Sequence, residues 1–214
     1  MAVAVLALAG ATVLHSREHG STTAVTPGLI SRHVERFGVE ARERVGGWVA
    51  YARREKAAAP AMDLARLERV NVFLNRVTFV DDLRHWGQAD YWATPSETVG
   101  SNGGDCEDFA IAKYFLLREL GTPVQQVRIT YVKATRLNQA HMVLAYYPSP
   151  GADPLVLDNL EDRVRPASQR ADLVPVYSFN DEDVTLVASG RRANPLQVRA
   201  WRALLERLEA EARL

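Results

Sequence analysis

The sequence predicts an α+β fold, helices first and an antiparallel sheet after, on three observations. Apolar residues recur at helical spacing as far as Leu120, they alternate with polar residues from Val127 onward, and the change of period falls at Gly121 and Pro123. The 214 residues suit a single domain, with room for a helical appendage. A composition 47% hydrophobic and 24% charged is enough to bury an ordinary core. Lys+Arg and Asp+Glu both number 26, so no net field draws nucleic acid and no acidic excess points to a disordered tail. One cysteine excludes an intramolecular disulfide and any multi-cysteine metal site.

The elements follow in chain order. Met1 to Leu14 is almost wholly Ala, Val, Leu and Gly, and too short for a bilayer, which takes ~20 apolar residues. It reads as the h-region of a secretory signal, with Ala7, Ala9 and Ala11 as small residues for a peptidase, although the basic n-region is missing. A buried N-terminal helix is the alternative; the signal reading places the mature protein in the periplasm. Residues 15–28, ending in Pro27-Gly28, read as a linker, so 1–28 is signal segment and linker and 29–214 one domain. Ser31 is expected to cap a helix reaching about Ala59, broken or kinked near Gly46-Gly47. Asp63 is expected to cap a second, with Leu64, Leu67, Val70, Phe73, Leu74 and Val77 at helical spacing. Asp81 to Asn102 has no clean period and reads as a long loop carrying Trp86, Tyr91, Trp92 and Pro95.

A third helix opens at Gly103-Gly104-Asp105-Cys106 and stops at Gly121. Strands are expected around Val127–Tyr131, Ala140–Leu144, Leu155–Leu157, Val174–Tyr177 and Val184–Val187. Asn194-Pro195 opens a last amphipathic helix with Leu196, Trp201, Leu204, Leu205 and Leu208.

Cys106 is the residue with chemical promise. Backbone N–H groups at a helix N-terminus favour a thiolate, the nucleophilic form, and the Cys106 N–H can serve as an oxyanion donor. Taken alone, the same turn also suits a buried, inert cysteine. His141 stands near the start of one strand and Asp158 closes the next, so antiparallel neighbours can bring them together, Asp158 fixing the imidazole tautomer. Asp105, Glu107 and Asp108 crowd the cysteine. Two readings stay open for them: caps that complement the helix dipole, or ligands of a hard cation such as calcium, which would offset their opposition to thiolate.

Several separated segments resemble the bacterial transglutaminase-like cysteine proteases of the LapG type. They are Asp90 to Glu97, Gly104 to Tyr114, His141 to Leu144, Leu157 to Leu160 and Tyr177 to Asn180, which together span roughly 60–182. The resemblance implies a papain/transglutaminase-like fold, with the catalytic cysteine at a helix N-terminus packed on the sheet. It also implies a triad of Cys106, His141 and Asp158, and calcium held by Asp105 and Glu107, with Asp108 a weaker candidate. Trp92, in the upstream motif, is expected to border the cleft. The implied function is a periplasmic, calcium-dependent endopeptidase that clips the N-terminal region of a large surface adhesin and so disperses biofilm. The implied regulator is an inner-membrane receptor that senses cyclic di-GMP and sequesters the protease. Acyl transfer or cell-wall amidase chemistry by the same triad are rivals, as is a non-catalytic binding module.

Overall fold

The structure is a computed structural model, and it describes residues 25–58 and 62–214. The apolar run read as a signal, and most of the linker, lie outside the described residues. Thr26 caps α1 (Pro27–Phe37), accepting from the Leu29 N–H at 3.1 Å, while Pro27 takes a first-turn position that needs no N–H donor. The helix thus starts earlier than the Ser31 cap expected; Ser31 lies within it and donates to the Pro27 carbonyl at 3.0 Å. Gly38 ends α1 with a φ of 87°, and α2 (Ala41–Ala58) runs straight through Gly46-Gly47. The break expected at Gly46-Gly47 therefore falls at Gly38. A helical glycine costs ~1 kcal/mol without ending the helix, whereas a positive φ ends it.

Asp63 caps α3 (Leu64–Leu74) as expected, accepting from the Arg66 N–H at 2.8 Å, but Val77 lies beyond its end. The stretch read as a loop, Asp81 to Asn102, holds two short helices, α4 (Asp82–His85) and α5 (Pro95–Ser101), and is flanked by two short strands, β1 (Thr78–Phe79) and β2 (Gly103–Gly104). A capping box fixes α5, the Thr94 hydroxyl accepting from the Glu97 N–H at 3.2 Å and the Glu97 carboxylate from the Thr94 N–H at 3.0 Å. β1 and β2 pair in parallel, Phe79 opposite Gly104, which ties α4 to the turn before α6 (Cys106–Glu119).

Seven strands follow: β3 (Val127–Ala134), β4 (Gln139–Tyr146), β5 (Leu155–Asp158), β6 (Glu161–Pro166), β7 (Leu173–Phe179), β8 (Val184–Leu186) and β9 (Arg192–Ala193). They form one antiparallel sheet ordered β6-β5-β4-β3-β7-β8-β9. β6 and β9 were not expected: β6 has a single large apolar residue, Val164, and β9 spans only two residues. Asn194 caps a short 3-10 turn, so α7 (Arg199–Glu211) begins later than Asn194-Pro195 suggests.

The core lies between α6 and the sheet. Phe109, Ile111, Ala112, Phe115 and Leu116 of α6 are buried, and the helix lies against β3 and β4. α7 closes the core with Trp201, which is fully buried and stacks on Phe115 at 5.7 Å between ring centres. Among the described residues, no helix is long and apolar enough to cross a membrane.

Candidate active site

Asp105 is the N-cap residue of α6 and Cys106 its first residue. Asp108, one turn on, is fully buried; its carboxylate accepts from the Ala93 N–H at 2.7 Å and the Asp105 N–H at 3.4 Å. That approach needs glycine at 104, because a β-carbon there would lie 2.6 Å from Asp108 Oδ2. The Cys106 thiol is half-buried, donates to Glu107 Oε2 at 3.1 Å and faces the Met142 N–H. Met142 follows His141 in β4, so the start of that strand is set against the α6 N-terminus. Burial pushes the thiol pKa well up, and Glu107 and Asp105 push it further; together they outweigh the helix N-terminus and the Met142 N–H.

β4 and β5 are antiparallel neighbours, and they bring His141 Nε2 to 2.8 Å from Asp158 Oδ1 with both residues buried. Asp158 also accepts from the Leu160 N–H at 3.0 Å and from Arg170 Nη2 at 2.8 Å. Burial alone would raise the Asp158 pKa, but these three donors hold it well below the usual carboxylate range. An ionised Asp158 requires Nε2 to carry the proton, which leaves Nδ1 as the basic nitrogen of a neutral ring.

The acidic cluster is larger than the sequence suggested. Asp82, Asp105 and Asp108 place carboxylate oxygens within 4.8 Å of one another, and so do Asp82, Asp90 and Glu107. Asp82 is brought in from α4 and Asp90 from the segment before α5; neither was expected, and only the β1–β2 pairing could have pointed to Asp82. Burial pushes Asp82 up to about 6 and Asp105 up to about 8, Glu107 adding to the latter, and Asp108 is raised well above the usual range. Asp82 Oδ1 and Asp105 Oδ1 are buried with no hydrogen-bond partner among the described residues. Crowded carboxylates with orphan oxygens fit a hard divalent cation, calcium before zinc, although the Cys106 sulfur also lies near Asp105 and Glu107. Trp92 is core rather than open cleft wall: it stacks on Phe179 at 5.6 Å, and its Nε1–H donates to Asp90 at 2.9 Å.

The family model of the bacterial transglutaminase-like cysteine proteinases (BTLCP) matches residues 47–174, which contain Cys106, His141 and Asp158. Legionella pneumophila LapG, solved after EGTA treatment, is 39% identical with a TM-score of 0.74, covering 84% of this chain and 95% of that one. The calcium-bound LapG of the same organism is 40% identical with a TM-score of 0.71, covering 84% and 97%. No curated protein matches significantly. A family match across more than half the chain, together with identity near 40% to solved LapG structures over most of both chains, assigns the protein to the bacterial transglutaminase-like cysteine proteinase family, as a cysteine peptidase.

Proposed function

We propose that this chain is a calcium-dependent periplasmic endopeptidase in which Cys106 is the nucleophile, His141 the general base and Asp158 the orienting acid. The observation that carries the reading is the buried His141–Asp158 bond at the start of β4, with the adjacent Met142 N–H directed at the Cys106 sulfur. His141 Nδ1 takes the thiol proton as the sulfur attacks the scissile carbonyl. The developing oxyanion meets the Cys106 N–H, which is free of intrahelical bonding at the first position of α6. His141 then returns the proton to the leaving amine, which leaves a thioester on Cys106. Water, deprotonated by the same ring, attacks the thioester, releases the carboxylic acid and restores the thiol. Asp158 holds the ring tautomer throughout and stabilises the imidazolium that forms.

Asp82, Asp90, Asp105, Glu107 and Asp108 would hold the cation. When bound, it supplies positive charge beside Cys106, offsetting the carboxylates that disfavour thiolate. Likeness to calcium-bound LapG supports calcium as that ion. The shared LapG-type motifs support the N-terminal region of a large surface adhesin as substrate, biofilm dispersal as outcome and a cyclic di-GMP-sensing receptor as regulator.

Incubation with N-terminal fragments of candidate adhesins, with calcium or with EGTA, tests the proposal. Discrete cleavage is expected with calcium, loss with EGTA, and recovery when calcium is restored. Cleavage undiminished by EGTA removes the calcium requirement; uncut fragments in calcium remove the adhesin reading. A primary amine in the same reaction separates hydrolysis from acyl transfer by product.

A further inference from the structure

We propose that Arg170, in the turn between β6 and β7, is the positioning residue of the active site, setting the orientation and charge of Asp158 without touching substrate. The inference rests on the triad reading above and extends it one residue outward. Asp158 has two oxygens with different partners: Oδ1 receives His141 Nε2 and the Leu160 N–H, and Oδ2 receives Arg170 Nη2 at 2.8 Å. The carboxylate is therefore held at both oxygens, and its plane cannot turn about the bond to the ring. Arg170 is itself fixed. Its Nε donates to Asp172 Oδ1 at 3.1 Å, its Nη2 to Asp172 Oδ2 at 3.0 Å, and its Nη1 lies 3.7 Å from Glu161. Only 6% of the residue is exposed.

A planar fork with several fixed partners is a task for arginine, since a lysine offers one point charge and no defined plane. The charged surroundings of Asp158 come from four directions. His141 faces it from β4 and Arg170 from the β6–β7 turn; Lys113 of α6 acts on it through space; Asp172 and Glu161 share its arginine. Among these, Arg170 is the only permanently charged cation in direct contact with the carboxylate. Two separable properties follow: the positive charge keeps Asp158 ionised, and the fork keeps it aligned.

Replacing Arg170 by Met removes both, and replacing it by Lys removes chiefly the second. Arg170→Met is expected to lower kcat about ten- to a hundredfold, as loss of an outer-shell partner does, with KM within about twofold. The acid limb of its pH–rate profile is expected to move to higher pH, because Asp158 without its cation takes up a proton more readily. Arg170→Lys should lower kcat while leaving the acid limb in place. Wild-type kcat and profile in Arg170→Met overturn the proposal, and so does an equal fall in both variants with no movement of the limb, which marks a purely architectural residue. Should Arg170→Met fail to fold, as judged by circular dichroism, Arg170→Gln, which keeps a donor but not the charge, takes its place: a lowered kcat with the acid limb moved to higher pH supports the proposal, and an unmoved limb or wild-type kcat overturns it. His141→Ala and Asp158→Asn, run alongside, keep the two ideas apart. If either retains full activity the triad reading itself falls; if both are inactive and Arg170 is dispensable, only the present inference falls.

Discussion

At the scale of single residues, Cys106 is the contested one. The N-terminus of α6 and the Met142 N–H favour thiolate, but burial and the carboxylates of Glu107 and Asp105 favour thiol, and the second group wins in this structure. Without the cation the thiol keeps its proton and donates it to Glu107; the proposed calcium offsets that opposition and His141 draws the proton, so ring and sulfur act as one unit. Cys106→Ala and His141→Ala are accordingly expected to lose activity to a similar extent, each by about three orders of magnitude or more, with little further loss in the double variant. Peptidase assays on each variant, with circular dichroism to confirm the fold, measure this. A His141→Ala enzyme within tenfold of wild type would remove histidine from the mechanism.

At the scale of elements, the approach of α6 to the segment before α5 depends on Gly104. Asp108 reaches back across this glycine to bind the Asp105 and Ala93 N–H groups, and an added β-carbon would lie 2.8 Å from the Asp108 β-carbon. Asp108 is fully buried and has no room to yield. Gly104→Ala is expected to destabilise the fold by about 1–3 kcal/mol through overpacking. It should also weaken calcium binding, since Asp105 and Asp108 both shift; thermal melts and calorimetry read the two effects, and wild-type values in both would show slack in the turn. Much of this region was legible in the sequence. Cys106 at a helix start, the Asp63 cap and the β4–β5 neighbours that join His141 to Asp158 follow from local pattern and strand order. α5 was missed although Thr94-Pro95-Ser96-Glu97 spells a capping box, because seven residues are too few to show a helical period. Asp82, Asp90 and Arg170 were beyond local pattern altogether. Their roles arise from pairings such as Phe79 with Gly104, and from the β6–β7 turn passing behind Asp158, which no spacing rule reports.

At the scale of the whole molecule, α6 carries a buried cationic side chain that takes no step in the chemistry above. Lys113 is fully buried, and its Nζ has no hydrogen-bond partner among the described residues; it sits 5.7 Å from the Phe109 ring centre. Burial pushes its pKa down to about 7, and the charges of Asp158 and Asp162 offset only part of that fall. The sign of the linkage follows. In the unfolded chain a lysine holds its proton to about pH 10.4, so between about pH 7 and that limit the unfolded state binds more protons than the folded one. Stability therefore rises with pH across this window, opposite to the usual decline on the alkaline side. The interval of use is about pH 7 to 9, below the range where tyrosines titrate in the unfolded chain. An unfolded cysteine titrates at about 8.5, so Cys106 is removed for the measurement. Saturating calcium keeps Asp105, otherwise raised to about 8, from titrating in the same window. A single group gives at most about 1.4 kcal/mol per pH unit, so the rise amounts to about 2 kcal/mol, or roughly 5 °C in Tm for a domain of this size. Thermal melts of an inactive Cys106→Ala protein in saturating calcium, with and without Lys113→Met, isolate the effect. The parent is expected to gain about 2 kcal/mol more than Lys113→Met from pH 7 to 9, the common titration of Glu211, raised to about 7, cancelling in the difference, and Lys113→Met to be the more stable of the two at pH 7. Parallel curves for the two proteins would mean that Lys113 is neutral or fully solvated at both ends of the window, and that the core tolerates its amine at no electrostatic cost.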